Sequence, residues 1–297
     1  MWTCKIVEAG EFIYMKNNIL RLLSFLLGIL IIVLIPVLFF RTKIINAEYC
    51  KELFRNNGAE DELYEKTDSA IKLSYVNNGV SVRKYKFEVN KEMLYNDFLD
   101  NVDNLFDYLK GNISNVPAVN VDKYSIQFDK DLSNNINSNV TLNEEVVANT
   151  KNDVMKNISG KIDVLGINKY ATSNGFLKNI QEIIEILNSN SFLWGIICAI
   201  IFDVIFMICI NRRKFIKYVA YGITGSSIII GVISFSGYLS KMYYNSPIGM
   251  KFLQKSIGDI IKACFVNMTI VSCMGLVIGT ILLILNYKIS NMNNVCD

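Results

Sequence analysis

Apolar residues gather into four long runs, and each comes close to the roughly 20 helical residues needed to cross a hydrocarbon core. The runs are Leu22–Phe40, Phe192–Ile210, Val219–Leu239 and Ala263–Leu285. They predict four transmembrane helices and divide the remainder into an N-terminal segment 1–21, a large polar segment 41–191, a short loop 211–218, a second loop 240–262 and a tail 286–297. The first run follows Lys5, Lys16 and Arg21, as the core of a secretory leader would. It is longer than the usual leader core of about 7 to 15 residues and is followed by Arg41 and Lys43, so it reads as an uncleaved anchor. Pro36 inside it is tolerable because neighbouring helices can satisfy the freed carbonyl.

The polar segment has its own periodicities. In Lys91–Lys110, Leu94, Phe98, Val102, Leu105, Phe106 and Leu109 recur at helical spacing, and Gly111 follows as a stop. Helices are also predicted over Glu144–Lys156 and Phe176–Leu187. Ser81–Val89 and Asp122–Phe128 alternate apolar with polar residues and predict strands, the first preceded by a turn at Asn77–Gly79. Asn-rich Asp131–Asn143 reads as a loop. The expected fold is therefore a mainly α membrane protein carrying a mixed α+β extracytoplasmic domain between its first and second spans. In the 240–262 loop, Ile248, Phe252, Leu253, Ile257, Ile260 and Ile261 face away from Lys251, Lys255, Asp259 and Lys262. That pattern predicts an amphipathic helix lying in the outer headgroup layer.

Charge orients these elements. Arg212, Arg213, Lys214 and Lys217 crowd one short connection, and basic loops of that kind stay on the cytoplasmic side. Alternation then predicts a multi-pass protein of the plasma membrane with its N-terminus and tail in the cytoplasm and 41–191 outside. Lys241, Lys251, Lys255 and Lys262, against Asp259 alone, pull the last hairpin the other way. Segment 41–191 holds 22 Asp/Glu and 18 Lys/Arg, a mixture suited to water and long enough for a core of its own.

Composition narrows the chemistry. The chain is 52% hydrophobic and 19% charged with a net charge of +3, too little for a nucleic-acid partner. It has no histidine, which removes His-activated nucleophiles and the HExxH zinc site. Its seven cysteines form no CxxC pair, and no P-loop, GxSxG or metal constellation occurs, so no cofactor is expected. Cys50, the only cysteine in the polar segment, cannot form a disulfide within it and reads as buried or unreactive, with pairing between subunits as the alternative. Asp97, Asp100, Asp103 and Asp107 on the 91–110 helix read as a solvated face rather than a calcium loop, which requires a Gly-kinked turn.

Two features of the spans remain. Small residues, among them Gly222, Gly231, Gly275 and Gly279, let helix backbones approach closely, and the Gly275/Gly279 pair offers a route to a homo-oligomer. Asp203 sits about 10 Å into the second span at 1.5 Å per residue and should face other helices, with Thr224, Ser226, Ser227 and Thr280 as partners at matching depth and Arg213 reaching from below. It reads first as a satisfied polar contact that fixes helix register, with a proton or cation relay as the alternative. The stretch Arg212–Gly222 is similar to the basic segment and glycine after the second span of permease-like subunits related to the cell-division protein that partners an ATP-binding subunit. The resemblance implies a cytoplasmic ATPase as partner, although the third span here begins too soon for a cytoplasmic coupling helix. A membrane enzyme would need groups such as Lys241, Tyr243 and Tyr244 to converge at the outer face. The leading expectation is a non-catalytic membrane protein that senses or binds a protein or envelope component through 41–191.

Overall fold

The computed structural model describes residues 2–81, 87–135, 143–163, 175–241 and 249–295, and among them every regular element is a helix. In chain order these are α1 (Trp2–Phe39), a π-helical turn (Phe40–Ile44), α2 (Ala47–Asn56), α3 (Ala59–Asn77), α4 (Lys91–Leu109), α5 (Asp122–Asn135), α6 (Glu144–Ile162), α7 (Gly175–Asn188), α8 (Asn190–Ile210), α9 (Phe215–Ser240) and α10 (Lys251–Val295). The expected mixed α+β domain is thus corrected: its described regular elements are all helices.

The cause is visible in α5. Tyr124, Ile126 and Phe128 alternate in sequence as a strand would, yet Tyr124 and Phe128 are buried while Ile126 is 69% exposed. Residues four apart share a helix face, whereas residues two apart do not. Asn120 helps start this helix, its side-chain oxygen accepting from the Asp122 N–H at 2.8 Å. The helix runs on to Asn135, into the stretch expected to be a loop. Residues 82–86 of the other expected strand lie outside the described residues, and the described Phe87 and Val89 are buried on no ladder.

The chain forms two compact units: Met1–Ile44 with Ile186–Ser246 and Gly258–Asp297, and Ile45–Glu185 with Pro247–Ile257. Four helices are long and apolar enough to cross a membrane, at Tyr14–Ile44, Asn190–Ile210, Phe215–Ser240 and Lys251–Ile289; the first unit holds the first three and the fourth from Gly258 onward. Its α1 packs against α8 and α9. Leu20, Leu23, Leu27, Met207 and Tyr218 form the buried cluster there, and the Ser24 hydroxyl donates to the Tyr218 carbonyl at 2.7 Å. Elsewhere the spans expose large side chains, among them Phe202, Phe206, Val232, Ile233, Met274 and Val277. Apolar exposure on that scale suits lipid and not water.

The second unit is a bundle in which α3 packs on α4 and α6, with α2 and α5 covering its flanks. Asparagine supplies several of its helix starts: Asn46, Asn90 and Asn143 accept from the backbone N–H groups of Tyr49, Met93 and Glu145 at 3.1, 2.9 and 3.0 Å. Gly79 and Gly111 adopt φ of 69° and 76° after α3 and α4, a left-handed backbone that suits glycine. Three rings, Phe54, Phe98 and Phe252, meet at centroid separations of 5.6 to 5.8 Å in tilted and edge-to-face contacts. Phe252 is in the first turn of α10, so the apolar face expected to lie among headgroups is packed on protein instead. That turn is also capped from α3, where the Glu62 carboxylate accepts from the Lys251 and Phe252 N–H groups at 2.9 and 2.8 Å. Asn57 Nδ2 donates to Ser256 Oγ one turn further on. Ile248 lies outside the described residues.

Candidate functional site

Asp203 stands on the α8 face that also buries Ile196 and Met207, and is itself 5% exposed. Neither carboxylate oxygen has a hydrogen-bond partner among the described residues. The hydroxyls expected to meet it are engaged elsewhere or face another helix. Ser226 donates to the Ile223 carbonyl at 2.9 Å, and Thr280, exposed, to the Leu276 carbonyl at 2.8 Å. Ser227 and Thr224 face Gly275 and Gly279, where an added Cβ would collide with their hydroxyls. The Thr224 hydroxyl also lacks a partner. Arg213 is exposed and does not pair with the acid. The result is a buried acid on one seam and a hydroxyl-glycine seam separate from it.

That second seam joins α9 to α10. Ser272 Oγ donates to the Ser227 carbonyl at 2.6 Å and Thr269 Oγ1 to Ser234 Oγ at 2.9 Å. A Cβ on Gly231 would strike Ser272. Gly275 and Gly279 therefore meet α9 of their own chain. Gly222 serves the other interface: a Cβ there would lie 2.8 Å from the Ser24 carbonyl oxygen on α1. All four glycines singled out in the sequence are points of close helix approach.

The basic connection folds as a turn from Asn211 to Lys214. Asn211 Oδ1 accepts from the Arg213 and Lys214 N–H groups, each at 3.1 Å, and α9 begins at Phe215. The Lys214 ammonium reaches Asn17 Oδ1 at 3.4 Å, and that of Lys217 lies 5.6 Å from the Tyr221 ring centre. Arg212, Arg213 and Lys214 are exposed. No separate coupling helix fits in this turn.

In the helical unit, a cleft of about 500 Å³ opens between α4, α5 and the irregular stretch that contains Pro117 and Val119. Asp97, Asp100, Asn101, Asn104, Asp122 and Lys123 supply its polar groups. Asp97 accepts from the Tyr124 hydroxyl at 2.5 Å and pairs with Lys123. Burial, then the bond to Asp97 and its charge, raise the Tyr124 phenol well above its ordinary range. Asp103 takes the Lys51 ammonium at 3.0 Å and Asp107 the Asn112 amide at 2.9 Å, so the four α4 carboxylates do not converge. No group of three metal-ligating side chains occurs among the described residues. The 91–110 pattern contained these acids, but only Pro117 hinted that an irregular wall would turn them into a cleft.

Cys50 is buried, and that burial pushes its thiol up to about 11. An unreactive, enclosed thiol offers no ready intersubunit bridge. Lys241 is exposed, while Tyr243 and Tyr244 lie outside the described residues. No protein-family model matches the chain, and no curated protein or solved structure matches it.

Proposed function

We propose that this is a multi-pass protein of the plasma membrane, its N-terminus cytoplasmic, whose helical unit faces outward and binds a protein or envelope component without catalysing a reaction on it. The observation that carries the reading is the cleft beside α4. It belongs to a unit with its own aromatic core, and its wall combines carboxylates and amides with the apolar edges of Val119 and Ile126. Side chains of that mixture suit recognition of a polar, cation-bearing surface. The basic turn at Asn211–Lys214 supports this orientation, because short basic loops stay on the cytoplasmic side.

Cross-linking in native membranes, followed by purification and mass spectrometry, tests the proposal. An envelope partner whose cross-links map to 97–126, and whose recovery falls when Asp100 and Asn104 are replaced by Ala, is the expected result. Recovery of a cytoplasmic ATPase as the main partner would favour the permease-like alternative and sink this one.

A second reading rests on Asp203. A buried carboxylate without a partner inside a span costs free energy and is by default a functional candidate. It would serve as a single protonatable station, and flux measurements on Asp203→Asn in vesicles test it: unchanged proton movement removes the idea.

A further inference from the structure

Between α1 and α9, within the unit that holds the spans, runs a groove of about 320 Å³. Arg21 and Tyr218 stand at one end of it, Ile32 and Ile229 at the other. Both sides therefore extend over eleven residues, or about 16 Å at 1.5 Å per residue. That is about half of a hydrocarbon core of ~30 Å, the depth of one leaflet. The groove exists because its floor is small: Gly28, Gly222 and Gly225 remove side chains where Leu or Ile stand elsewhere on these helices. At Gly222 the space is taken up by α1 itself, but a Cβ at Gly225 would meet nothing within 4 Å.

Among the described residues, no carboxylate pairs with the charge at the mouth. Arg21 touches Asn18 Oδ1 at 3.5 Å, and Lys217 lies over the Tyr221 ring that lines the same end. Arg212, Arg213 and Lys214 are exposed in the adjoining turn. The sequence contains no Asp or Glu from 12 to 47, nor from 204 to 258. A basic pocket between spans at a membrane surface is matched by an anionic lipid headgroup.

We propose that this groove binds one anionic phospholipid of the leaflet on the basic side, its acyl chain along Gly28 and Gly225 and its phosphate at Arg21 and Lys217. The site rests on the reading of α1 and α9 as spans, and is independent of what the helical unit binds.

The test reconstitutes the full chain into phosphatidylcholine vesicles doped with spin-labelled phosphatidylglycerol or spin-labelled phosphatidylcholine. Electron paramagnetic resonance then reads the motionally restricted fraction of each. Phosphatidylglycerol should be favoured by about fivefold for each cation that engages it. Arg21→Gln should lower that preference, and Gly225→Leu should remove the excess restricted phosphatidylglycerol while helical circular dichroism is unchanged. Equal restriction of the two lipids by the parent chain would overturn the proposal. So would a preference that survives Gly225→Leu, since the charges would then act as a diffuse surface. If Gly225→Leu loses helical signal, Arg21→Gln decides alone, and an unaltered preference overturns the site. Flotation after an alkaline wash reports insertion separately; a chain left behind by the vesicles contradicts the spans and the lipid site together.

Discussion

Among single residues, Asp203 carries the sharpest conflict between position and chemistry. A carboxyl group enclosed in a span, with neither oxygen partnered among the described residues, lowers stability whichever protonation state it takes. Asp203→Leu should therefore raise the thermal midpoint of the detergent-solubilised protein, by an amount worth about 1–3 kcal/mol. A fall in the midpoint would mean that the acid has a stabilising partner. The buried phenols make a second, pH-dependent case. Tyr75 and Tyr124 are both raised above the ordinary value, first by desolvation. The folded state thus holds protons that the unfolded state releases above about pH 10, so stability is full below that pH and declines above it. Denaturant titrations of the helical unit's unfolding should give a falling midpoint from pH 10 upward, with a shallower fall in Tyr124→Phe. An equal slope in that variant would detach Tyr124 from the effect.

At the level of elements, long patterns were legible and short ones were not. Lys91–Leu109 follows its periodicity closely, with Leu94, Phe98, Val102 and Phe106 buried and Leu105 and Leu109 half-buried. α5 has the pattern of a strand because three apolar residues spaced by two fit one, and only tertiary packing reveals that the middle one faces water. Ile126→Ser should accordingly change stability by less than about 0.5 kcal/mol, while Phe128→Ala costs about 3–5 kcal/mol. Comparable losses at both positions, measured by denaturant unfolding, would restore the strand. α2 and α3 were missed altogether, since the acidic start of α3 masks the apolar stripe of Leu63, Ile71 and Tyr75. The cap on α10 was equally hidden, because Glu62 and Phe252 are remote in sequence. Removing it with Glu62→Ala should cost about 1–2 kcal/mol, and a variant as stable as the parent would show that the two backbone bonds contribute little. Of the candidate site, the glycines were readable from spacing alone. The surroundings of Asp203 were not, because equal depth along two helices does not specify which faces meet.

For the whole molecule, four helices are long and apolar enough to cross a membrane, and the proposed direction rests on the basic turn. Everything proposed about the cleft requires residues near 120 to face outward, and the lipid groove requires Arg21 and Lys217 to share one surface. Both requirements reduce to how the chain threads the bilayer. The measurement that tests this most directly is labelling of Lys214→Cys and Asn120→Cys, each in a background without other cysteines, by a membrane-impermeant thiol reagent applied to intact cells. Reaction at position 120 with protection at 214 until the membrane is permeabilised is the expected result; reaction at 214 with protection at 120 would contradict the orientation and the outward binding module with it.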